Sequence, residues 1–137
     1  MVIDKALAMK VWEAVYGDKE AAVDCFGAHM VKSAYSDKPV LMVSPTDGKT
    51  YDYSWTLDRI RPASSFDDPK EADNLNNLEP MMRLSAYEKD RTGYPEFTVR
   101  GAKYKVVETY GYDGYGILDE WNRRIDWKGV QKRMFVD

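Results

Sequence analysis

Asp58-Arg59-Ile60-Arg61-Pro62, Asn77-Leu78 and Ser85-Ala86-Tyr87-Glu88-Lys89 hold the residues best placed to do chemistry in this chain. A carboxylate at a strand end, with a ligand on the next helix, can hold one divalent cation. That cation stabilises the charge that builds up in phosphodiester hydrolysis. Such a site also needs a base near neutrality, usually histidine. Asp58 supplies such a carboxylate, and Arg59 follows it directly. Arg59 cannot accept a proton near neutrality. The spacing therefore describes a scaffold more than a reaction.

Alternation over Tyr51, Tyr53, Trp55 and Leu57 against Asp52, Ser54, Thr56 and Asp58 predicts a strand delivering Asp58 on its polar face. Pro62 to Asn76 reads as an acidic loop with Asp67, Asp68, Glu71 and Asp73. Asn77 to Met82 reads as a short strand or turn. Ser85 and Glu88 match a capping box for a short helix ending before Gly93, whose N-terminal amides would suit a phosphate.

These residues resemble the core of the single-domain HNH endonucleases of phages and bacteria, the ββα-metal nucleases. The matches are Trp55, Asp58, Ile60, Pro62, Ser64, Asn77, Leu78 and Lys89, with an upstream run of Trp12, Gly17, Asp24-Cys25-Phe26-Gly27, Met30, Lys32 and Tyr35. The resemblance implies a DNA-cleaving, Mg²⁺- or Mn²⁺-dependent hydrolase fold. Asp58 would be the remaining metal ligand, Arg59 would stand at the base position and Ala86 at the helix ligand position. Asn77, Trp55 and Pro62 would hold the motif together. The two departures imply impaired catalysis and a metal bound weakly or not at all. Arg61, Arg83, Lys89 and Arg91 are the candidate DNA contacts. The alternative is a non-enzymatic binding protein or inhibitor, phage-encoded for example, that turns the same scaffold toward a protein target.

Composition narrows the field. The 137 residues are 44% hydrophobic and 13% aromatic, enough for one domain with its own core. Net charge is −3, and residues 58–91 hold eight acids to six bases, so no global nucleic-acid footprint exists. His29 is the only histidine and is expected to be an ordinary surface or core residue. Cys25 is the only cysteine, which excludes internal disulfides, and is expected to fill an apolar helix face. The sequence shows no membrane span or signal peptide, and a cytoplasmic setting is expected.

The elements that must position the motif are expected as an α+β domain over residues 1–137. A helical lead, 1–36, would comprise helices over 4–16 and 18–26. A ββα-like core would span 50–92, and a hairpin and basic tail 95–137. A strand is expected at Val40–Val43. The hairpin would turn at Gly101-Ala102, Tyr110–Gly116 would form a turn region, and Trp121–Met134 would be a basic stretch.

Overall fold

A computed structural model describes residues 4–108 and 115–127. The described residues are mixed α+β, with two α-helices and small antiparallel sheets. Helix α1 (Lys5–Tyr16) is capped by Asp4, whose carboxylate accepts from the Ala6 amide. It buries Ala8, Val11 and Trp12, with Met9 and Tyr16 half-buried beside them. The apolar stripe thus lies slightly to one side of the expected Met9–Trp12–Tyr16 line.

Residues 18–26 do not form the expected second helix. Instead β1 (Ala21–Val23) pairs with β2 (His29–Val31) across a turn at Gly27, whose φ of 88° suits glycine. The carboxylate of Asp24 fixes this turn by accepting from the Phe26 and Ala28 amides, each at 2.9 Å. Cys25 therefore sits in a turn, not on a helix face. Its thiol lies 3.6 Å from Glu79 Oε1.

The expected strand over 51–58 is broken in two. β3 (Leu41–Val43) pairs with β4 (Thr50–Asp52), and β5 (Trp55–Arg59) pairs with β6 (Leu78–Met82). Asp52 makes the break, because its Oδ1 accepts from both the amide (3.0 Å) and the hydroxyl (2.6 Å) of Ser54. Tyr51 is consequently exposed while Trp55 is fully buried, so the aromatics do not share one face. Trp55 joins Trp12, Met30, Leu57 and Leu78 in one core cluster.

β6 leads without a linker into α2 (Arg83–Thr92), so the helix begins two residues before the expected cap. Ser85 is buried, and its hydroxyl accepts from Arg100 Nη1 at 3.0 Å; Glu88 accepts from the Arg100 amide at 2.9 Å. The predicted capping pair instead anchors the neighbouring hairpin. That hairpin, β7 (Glu96–Val99) and β8 (Ala102–Glu108), turns at Arg100-Gly101, one residue earlier than expected. Both turn residues have positive φ, 47° and 81°, the pattern of a type I′ turn.

β9 (Tyr115–Asp119) completes this sheet and includes Tyr115 and Gly116. The rest of the expected turn region, and the tail beyond Trp127, lie outside the described residues. A second core cluster (Ile60, Met81, Ala86, Phe97, Val99, Val106 and Ile117) fills the space between this sheet and α2. Among the described residues, no helix is long and apolar enough to cross a membrane.

Candidate functional site

β5, the loop after it and α2 bring Asp58, Arg59, Pro62 and Ala86 to one groove of about 560 Å³, together with Arg83 and Lys89. The loop after β5 is held by Asn77. Its side-chain oxygen accepts from the Arg61 amide at 2.8 Å, and its nitrogen donates to the Arg61 and Ala72 carbonyls, both at 2.9 Å. This fully buried amide thus ties the two ends of the Pro62–Asn76 loop together. The loop itself winds through three short 3₁₀ turns, Ala63–Ser65, Pro69–Asp73 and Leu75–Asn77. Trp55 stacks obliquely on Trp12 and Tyr35 beneath β5.

Asp58 faces Glu79 across the two strands and is 4% exposed. Lys89, 3% exposed, sits with its ammonium 3.2 Å from Asp58 Oδ2 and donates to the Arg59 and Ile60 carbonyls at 3.0 and 3.1 Å. The pair is within ionic range, yet Oδ2 accepts no hydrogen bond. Burial pushes the Asp58 carboxyl up to about 6; Asp90 and Asp24 add to the rise, and Lys89 opposes it.

The other candidate cations are mostly committed. Arg59 Nε donates to Asp73 at 2.6 Å, and Arg83 reaches Ser54 at 3.0 Å and Asp52 at 2.8 Å. Burial alone would raise the Asp52 carboxyl. Hydrogen bonds from Ser54, Arg83 and the Val40 amide outweigh it and lower Asp52 to about 2. Arg61 stacks on Phe66 at 4.3 Å and donates to Ser65 and Tyr115. Arg91 is exposed, 6.0 Å from the Tyr87 ring. His29 lies exposed on β2.

Sequence reasoning passed over Glu79 as a buried acid. All five residues of β6 are buried, so no alternation singles it out. Burial first, then the charges of Asp126 and Asp58, push the Glu79 carboxyl well above the carboxylate range. Asp37 and Asp90 were also missed. They line the groove from outside the motif and carry no signal that spacing could reveal. No family model, curated protein or solved structure matches the chain.

Proposed function

We propose that this chain is a non-cleaving protein on an HNH-endonuclease scaffold, acting by binding instead of hydrolysis. The order strand, strand, helix over β5, β6 and α2 supports the lineage, as does the Asn77 tie across the intervening loop. The observation that carries the non-cleaving reading is the Asp58–Lys89 pair. The one carboxylate at the metal-ligand position already faces an ammonium, Ala86 offers no donor, and Arg59 adds a further cation. A divalent ion such as Mg²⁺ needs several oxygen ligands, so this donor set does not fit one. Arg59 offers no base at its own position either, since it keeps its proton. Among the described residues that line the groove there is no histidine.

Plasmid nicking with Mg²⁺ or Mn²⁺ tests this reading. The parent chain is expected to leave supercoiled DNA intact, and the Arg59→His/Ala86→Asn variant to nick it in a metal-dependent way. Nicking by the parent that disappears in Asp58→Asn would overturn the non-cleaving reading. A folded double variant that remains inert would remove the support for nuclease lineage.

A further inference from the structure

We infer that the groove beside α2 receives a basic side chain, lysine or arginine, from a protein partner with a neighbouring apolar residue. The inference rests on the preceding reading only in taking the groove to bind without cutting. Three cations line the groove, and each is already matched: Arg59 to Asp73, Arg83 to Asp52 and Lys89 to Asp58. Asp37 and Asp90 line the same groove, both exposed and without an ion pair among the described residues.

Asp58 also lines the groove, but its charge is already set against the Lys89 ammonium, which leaves Asp37 and Asp90 unmatched. The charge left over is therefore negative, although the residue count alone suggests balance. A cation entering here meets a field that internal pairing has not consumed.

The walls supply the rest of an interface. Tyr87 is 63% exposed and Tyr94 44%, and both line the groove; Leu84, one helical turn before Tyr87, is 47% exposed. Exposed tyrosines beside an aliphatic residue offer stacking for a guanidinium or alkyl stem, and aromatic anchors dominate binding energy at protein interfaces. DNA suits this groove poorly. Phosphate binding draws on unpaired cations. Here three internal pairs would have to open while phosphates approached two free carboxylates.

The test uses a fluorescent peptide of repeating Leu-Arg-Lys, its Leu-Glu-Glu counterpart and a DNA duplex, each titrated into the intact chain at low and high salt. The basic peptide is expected to bind, weaken as salt rises and shift the amide resonances of Tyr87, Asp90 and Tyr94. Asp37→Asn/Asp90→Asn, whose surface positions leave folding intact, is expected to lose roughly three- to tenfold in affinity. Leu84→Ser/Tyr87→Ser is expected to lose at least as much.

Duplex binding at this groove, no peptide binding, or parent-like affinity in either double variant would overturn the inference. So would peptide shifts confined to another face. These outcomes are read without nicking, so they stand apart from the test of catalysis.

Discussion

A buried carboxylate beside a buried ammonium holds together only while both are charged, and Asp58 with Lys89 meets that condition over part of the pH range. Burial raises the Asp58 carboxyl from its ordinary 3.8 to about 6. Between about 4 and about 6 the folded chain therefore binds more protons at this site than the unfolded chain. Stability from this group is fully present below that window and declines as pH rises through it. Removing Lys89 changes the balance most where Asp58 is charged. Lys89→Ala is expected to cost roughly 3–5 kcal/mol near pH 7, the usual cost of stranding one member of a buried pair. The cost should shrink well below pH 6, where Asp58 can take up a proton. Urea unfolding of both chains at a neutral and an acidic pH measures this. A cost that does not change with pH would mean that the two groups are not electrostatically coupled.

At the scale of elements, Asp24 joins parts of the chain that sequence patterning keeps separate. Its carboxylate closes the β1–β2 turn through two amides and accepts the Met82 amide, at the end of β6, at 3.1 Å. Asp24→Ala is expected to cost about 3 kcal/mol, since it removes charge-assisted bonds and leaves a buried amide unpaired. Asp4→Ala, at the exposed cap of α1, should cost about 1 kcal/mol. Urea midpoints compare them, and amide exchange at Met82 should quicken only in Asp24→Ala; equal costs would refute the cross-link.

The contrast explains what was legible in the sequence. α1, β3 and the β7–β8 hairpin announce themselves through spacing, turn residues and length. The 18–26 segment does not, because Gly17 and Gly27 punctuate a helix or a hairpin equally well and a three-residue strand shows no period. Asp58 and Ala86 line one groove, while Asn77 lies outside its lining and holds the intervening loop. The charge of that groove was not legible in the sequence. Whether Arg59, Arg83 and Lys89 are free depends on Asp73, Asp52 and Asp58, and pairing across folded segments leaves no mark in local spacing.

At the scale of the molecule, four buried carboxyls among the described residues, from separate segments, converge at and behind the groove, with Lys89 and Arg124 as their ion-pair partners. Asp58 has Lys89. Asp126 has Arg124 at 2.7 Å and the Ile117 amide. Asp24 is satisfied by amides. Among the described residues, Glu79 meets the Cys25 thiol and, at a long 3.5 Å, the Trp127 amide. It lies where the β1–β2 turn, the central strand pair and the segment after β9 meet, so its protonation state affects all three.

Its carboxyl is raised first by burial and then by Asp126 and Asp58, so the folded chain keeps this proton long after the unfolded chain has released it. The sign follows directly: stability falls as pH rises from the ordinary glutamate range through the raised folded value. The Cys25 thiol, also raised by burial and then by Glu79, adds a loss of the same sign at higher pH. Glu79→Gln keeps the shape of the protonated acid and cannot ionise. Its stability is expected to match the parent in mild acid and exceed it increasingly toward alkaline pH. Cys25→Ser in both backgrounds isolates the thiol. Chemical denaturation across that range provides the measurement. If parent and Gln variant lose stability in parallel, Glu79 does not carry the buried proton, and the convergence behind the groove is neutralised some other way.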